Sequence, residues 1–178
     1  MKRTMIPTLI SLAVMAALGP TGVVGQAAKV LLFMPEDSSA DLEYMLDKEA
    51  GVMKNLLEEA GFEVVVASAT GQPFVAGETT LVPDSKITEV NAADIAGIIM
   101  PCMAAATPGE LPPELTTMIQ DAAAAGKPIA AQFGGIQRLA KTGVLAGKRV
   151  AFIAEYVEGD PVFEDAVYSG THAVVEDG

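Results

Sequence analysis

The chain has 178 residues, 51% of them apolar and 5% aromatic, with no Trp. That is enough for one domain with a core of Ala, Val, Ile and Leu, and too apolar for a disordered chain. Eleven Lys and Arg against 23 Asp and Glu give a formal net charge of −12, which argues against nucleic acid and anionic membrane surfaces as partners.

The amino-terminal stretch reads as a secretory signal peptide. Lys2 and Arg3 form a positive start, and Ile6 to Ala17 is an uncharged, largely apolar run, too short to span a bilayer comfortably. Gly19-Pro20 breaks the run, and cleavage is expected after Gly25 or after Ala27. The alternative is an uncleaved anchor, for which the run is short. The expected organisation is a leader over 1–27 and one domain over 28–178, exported to the periplasm or the exterior. Loss of Lys2 and Arg3 takes the formal charge from −12 to −14. The chain has one Cys, Cys102, so no internal disulfide is expected. It has one His, His172, so a His-rich metal site is excluded and no metal is expected.

Lys29 to Met34 is a continuous apolar run and predicts a central parallel strand. Pro35 to Ser39 is a turn, in which Ser38 or Ser39 can cap the next helix. That helix is expected to run to about Ala60 and end at Gly61. Its apolar stripe is Leu42, Met45, Leu46, Met53, Leu56, Leu57 and Ala60, and Glu49 fills the open slot. A carboxylate on a buried stripe is costly unless it is hydrogen-bonded or protonated, which makes Glu49 a candidate site residue. The alternative is that Gly51 breaks the helix phase and leaves Glu49 solvated.

Glu63 to Ser68 predicts a second strand. Residues 69–91 form a long excursion with a small hairpin, Phe74-Val75 against Thr80-Leu81-Val82. Asp94 to Met100 predicts a third strand, which stops at Pro101-Cys102-Met103. Cys102 thus falls just past a strand end. It is either a small buried hydrophobe or a reactive thiol. Pro112-Pro113 opens a helix from Glu114 to Ala125 with Leu115, Met118, Ile119 and Ala122 inward. Pro128 to Gln132 is a fourth strand, followed by the sharp turn Phe133-Gly134-Gly135 and a short helix from Ile136 to Lys141. Arg149 to Ala154 is a fifth strand, Asp160 to Asp165 a polar loop, and His172 to Val175 a last short strand. His172 reads as a surface or strand-edge residue, since no acidic residue is identifiable to orient it as a base.

Alternating strands and helices predict an α/β fold, a flavodoxin-like three-layer sandwich with a mainly parallel sheet in the order 2-1-3-4-5. Ligands in such sheets bind at the carboxyl edge. That edge gathers the loop after Met34, Glu49, Cys102 and the Phe133 turn. Gly134-Gly135 fits neither a dinucleotide nor a phosphate-loop fingerprint, so no cofactor is expected.

These residues carry a resemblance. From Lys29 to Gly178 the chain resembles the DJ-1/PfpI (ThiJ) superfamily, of the class I glutamine amidotransferase-like group. Its elbow reads KPIAA-I-C-H-G-P-Q-x-LA-x-xG-x-LxGxxV, and here Lys127 to Ala131, Gly135, Gln137, Leu139-Ala140, Gly143, Leu145, Gly147 and Val150 match. LLEEAGFEVVVAS resembles the family's first helix and second strand, Asp94 to Pro101 its third strand, and Glu176-Asp177-Gly178 its VVDG. The resemblance implies that the family's nucleophilic Cys falls on Phe133, the following His on Gly134 and the Pro on Ile136. The glycines of the oxyanion strand end fall on Cys102 and Met103. The acidic partner of the Cys, normally a protonated Glu, falls on Glu49. Family members continue with one more strand and a closing helix, so the expectation is either a fragment or a fold that ends early.

Hydrolase, deglycase and glyoxalase chemistry need a thiolate at the elbow, and Phe133 has no lone pair to attack with. The leading expectation is therefore a pseudoenzyme that binds a small molecule or a protein, lined by Pro101, Met103, Phe133, Gly134 and Gly135. The alternative is a thiol-dependent enzyme with Cys102 and Glu49 as catalytic pair, acting on a carbonyl substrate. Family members often dimerise, so a homodimer, with a purely structural role, is a third expectation.

Overall fold

The computed structural model describes residues 27–37, 41–102, 109–157 and 159–170. The expected leader, the Ser38 and Ser39 caps, Met103 and the His172 strand lie outside these residues, apart from Ala27.

The core of the fold is a five-stranded parallel sheet in the order β5-β2-β1-β6-β7. Its strands are β1 (Lys29–Phe33), β2 (Glu63–Ser68), β5 (Ser85–Lys86), β6 (Ile95–Met100) and β7 (Ile129–Ala131). A hairpin of β3 (Phe74–Ala76) and β4 (Thr79–Leu81) lies apart from it. β1 is apolar and buried from Val30 to Phe33 because both of its faces are covered there. Leu31 and Phe33 point into one core, with Ile98, Met100, Leu115, Ile119 and Leu139. Leu32 and Met34 point into the other, with Met45, Leu46, Ala50, Val66 and Phe74. The first core is covered by α3 (Pro113–Ala124) and α4 (Gly134–Ala140). The second is covered by a long helix and the hairpin, which gives the three layers expected.

That long helix is not uniform. It runs as α1 (Leu42–Tyr44), a π-helical turn (Met45–Ala50) and α2 (Gly51–Glu59). The Gly51 N–H donates to the Leu46 carbonyl five residues back, the signature of a π-turn. A Cβ on Gly51 would lie 2.6 Å from that same oxygen, so only glycine closes the turn. The inserted residue rotates the stripe. Leu56, expected inward, is exposed, and α2 buries no residue, whereas Met45, Leu46 and Ala50 are buried.

The fifth strand is corrected. Only β8 (Arg149–Val150) is extended, and it pairs with β9 (Val167–Tyr168) in a separate two-stranded parallel sheet. The predicted order therefore holds for its first four strands, and Ser85–Lys86 extends the opposite edge. The reason lies in Phe152: its ring is drawn into an aromatic cluster, the backbone bends there, and α5 (Ala154–Val157) follows. The expected polar loop at Asp160–Asp165 is also corrected. Pro161–Phe163 forms a 3₁₀ turn whose Asp160 side chain accepts from the Val162 N–H, and Phe163 is buried.

Candidate functional site

The carboxyl end of β7 leads into a sharp turn. Phe133 sits there at φ 44°, ψ −109°, the one non-glycine residue at positive φ among the described residues. Such a conformation costs about 1–3 kcal/mol and is held only where neighbours over-determine it. Three backbone bonds hold it: Gln132 N–H to the Met100 carbonyl (3.0 Å), Gly135 N–H to the Gln132 carbonyl (2.8 Å) and Ile136 N–H to the Phe133 carbonyl (2.8 Å). The two glycines then lie flat against the end of β6. A Cβ on Gly134 would be 2.8 Å from the Cys102 carbonyl, and one on Gly135 would be 2.3 Å from the Met100 carbonyl.

The turn presents its side chain outward. The Phe133 ring is 44% exposed. It packs at 5.2 Å on Phe152 and edge-on at 6.4 Å on Tyr156, and Phe152 continues the cluster to Phe163 at 5.8 Å. Centroid spacings of this size are those of attractive aromatic pairs. Ile153 and Tyr156 are also exposed, so the mouth of the site is an apolar surface.

Cys102 follows β6 and is buried, with 6% exposure. The structure brings Pro101, Cys102, Gly134 and Gly135 together, because the elbow glycines touch the carbonyls of Pro101 and Cys102. Glu49 comes from the other face of the sheet. It lies in the π-turn, whose neighbours Met45, Leu46 and Ala50 pack in the second core, whereas α4 packs on the first. Glu49 is half-buried, and its Oε2 is enclosed without a hydrogen-bond partner. Burial pushes its carboxyl above the ordinary range. The expectation of simple solvation therefore fails, although the predicted break in helix phase at Gly51 is present.

Two charged residues of the site escaped the sequence reading. Arg138 is 1% exposed, with Nη2 donating to Asp37 Oδ1 at 2.6 Å and Nη1 to the Cys102 carbonyl at 3.4 Å. Asp37 Oδ2 also accepts from the Gly109 N–H. The signal was spacing: Arg138 lies four residues after the buried Gly134, on the same face of α4. On the same rim, burial raises the Glu36 carboxyl, but bonds from the Thr70 hydroxyl and amide and from Ser68 outweigh it and leave it below the ordinary range.

An open cavity of about 330 Å³ lies elsewhere, at the amino ends of β1 and β6, lined by Ala27, Ala28, Lys29, Asp94 and Ala96. Among the described residues, no group of three His, Cys, Asp or Glu is placed to hold a metal ion. No described helix is long and apolar enough to cross a membrane.

Comparison with known proteins sets this geometry in context. The DJ-1/PfpI family model matches residues 28–178. No curated protein sequence matches the chain. Among solved structures, a two-domain protein from Anabaena variabilis, with DJ-1/ThiJ/PfpI-like and ferritin-like domains, is similar at 23% identity and a TM-score of 0.62. The alignment covers 84% of this chain and 41% of that one, so the chain spans less than half of that protein. Toxoplasma gondii DJ-1 is 26% identical, with a TM-score of 0.57 over 80% of this chain and 76% of that one. Drosophila melanogaster DJ-1β is 21% identical, with a TM-score of 0.62 over 85% of this chain and 78% of that one.

Proposed function

The chain belongs to the DJ-1/PfpI family, and from that premise we propose that it is an exported, non-catalytic binding domain in which Phe133 stands where the family carries its nucleophile. One observation carries the reading. The strained backbone position that would present a thiol presents a half-exposed phenyl ring instead. A phenyl ring cannot attack a carbonyl or hold a covalent intermediate. It does offer apolar contact area, and it does so together with Phe152, Ile153 and Tyr156. The ligand this suits is a small molecule with an apolar face. Glu49 holds its carboxyl above the ordinary range through burial.

The test is turnover. The wild-type domain is expected to hydrolyse no aryl ester and convert no α-oxoaldehyde above background, and Cys102→Ala is expected to behave the same. Turnover that Cys102→Ala abolishes would overturn the reading.

One observation favours a second reading, the thiol enzyme. Glu49 Oε2 is an enclosed acceptor or donor that lacks a partner, as the carboxyl of a base awaiting a substrate or thiol would be. Against it stands the burial of Cys102, since a reactive thiol needs access. A homodimer belongs to the proposal as well. Light scattering across a dilution series that returned a constant monomer mass would remove it.

A further inference from the structure

We propose that Asp37 and Arg138 form a clip that fixes Cys102 and Gly109 against the elbow, which makes Arg138 a positioning residue of the site. One guanidinium ties together three segments that are remote in sequence. Asp37 lies 101 residues before Arg138, and Cys102 lies 36 residues before it. Gly109 is reached through the second oxygen of the same carboxylate, 72 residues after Asp37. Thus Arg138 holds the residue on one side of the 103–108 segment, and Asp37 holds the residue on the other.

The grip is reinforced on both sides. The Cys102 carbonyl that accepts from Arg138 is also the atom against which Gly134 is packed, at 2.8 Å from a would-be Cβ. Lys141, one residue past α4, donates to the Gly109 carbonyl at 3.3 Å and pairs with Glu110 at 3.0 Å. These contacts originate on the elbow helix, on the Lys141 that caps its end, or on the loop that follows β1.

The chemistry makes the arrangement selective. A guanidinium that is 1% exposed must keep a carboxylate partner, because an unpaired buried charge is strongly penalised. It presents its donors in a rigid fork, so satisfying Asp37 and the Cys102 carbonyl together fixes their relative position. Lysine, with its donors on one nitrogen and no planar fork, does not reproduce that fixed geometry. The inwardly held Cys102 follows from this. Its carbonyl is clamped from two sides, and its thiol is buried as a result of where the main chain is held.

The experiment reads Cys102 alkylation by iodoacetamide in the native protein, together with hydrogen exchange at the Gly109 amide. Arg138→Met and Asp37→Asn are each expected to speed both by roughly tenfold or more beyond what their global stability in urea accounts for, as a local opening does. Arg138→Lys restores part of the protection. Met118→Ala, a core change in α3 away from the clip, accelerates alkylation only as far as its global stability falls. Equal alkylation and exchange in Asp37→Asn and the wild type, after correction for stability, would overturn the proposal. Asp37 is partly exposed, so that variant carries the test if Arg138→Met does not fold. The clip stands apart from the ligand reading: one is read by thiol exposure, the other by turnover, and either can fail alone.

Discussion

Gly135 and the carbonyl of Met100 lie so close that a methyl group on the glycine would sit 2.3 Å from the oxygen. The φ of Gly135 is unexceptional, so this glycine is required for space and not for backbone freedom. The contact seats the elbow on the end of β6. Gly135→Ala should therefore cost about 3 kcal/mol, as overpacking does at a rigid backbone contact. Urea denaturation checks this. A loss under about 0.5 kcal/mol would mean that the elbow is not seated as described.

Phe133 makes the opposite case, a side chain where glycine would be easier. Its φ of 44° is strained for any residue with a Cβ. Phe133→Ala loses the ring contacts and keeps the strain, while Phe133→Gly loses the contacts and releases it. The glycine variant should be the more stable of the two by about 1–2 kcal/mol. The difference in urea midpoints measures it, and the reverse order would show that the turn relaxes in solution.

Glu49 predicts a pH effect. Its carboxyl is raised above the ordinary 4.5 by burial, so the folded state binds the proton more tightly than the unfolded state. Stability on this account falls as pH rises from about that value through the raised one, and the cost is then constant at higher pH. Glu49→Leu removes the enclosed orphan oxygen. It should stabilise the protein by roughly 1 kcal/mol at pH 7 and by less at pH 4. Thermal unfolding at the two pH values reads this directly. Equal shifts at both would assign the gain to packing alone.

The Phe163 ring is buried and joins Phe152 at 5.8 Å, in a small core with Ala140 and Val150. Phe163→Ala should cost about 3–5 kcal/mol. It should also loosen the 150–157 segment that lines the mouth, visible as faster amide exchange at Phe152. A loss confined to global stability, with no local change at Phe152, would separate the cluster from the mouth.

Much of the fold was legible because its strands are buried on both faces. Glu63–Ser68 and the four-strand core of the sheet follow from apolar runs punctuated by glycine and proline. The elbow was legible too, from Phe133-Gly134-Gly135 after an apolar run. What escaped depended on contacts between distant residues. The Arg138–Asp37 pair spans 101 positions, and a polar residue in an amphipathic pattern normally signals solvent. The π-turn escaped because periodicity assumes 3.6 residues per turn, and one inserted residue moves Leu56 outward. The fifth strand was misread because Arg149 to Ala154 is apolar enough to extend, yet the Phe152 ring packs on Phe133 and Phe163 and the backbone bends there.

On the proposed reading, the elbow turn still presents its side chain outward, and a phenyl ring occupies the position it presents. Native-state labelling with iodoacetamide at neutral pH, compared between the wild type and Phe133→Cys, tests this most directly. The account predicts rapid labelling at position 133 in the variant, because the turn presents that side chain outward, and protection of the buried Cys102 in both proteins. Rapid labelling of Cys102 in the wild type, matching or exceeding that of the introduced thiol, would contradict it.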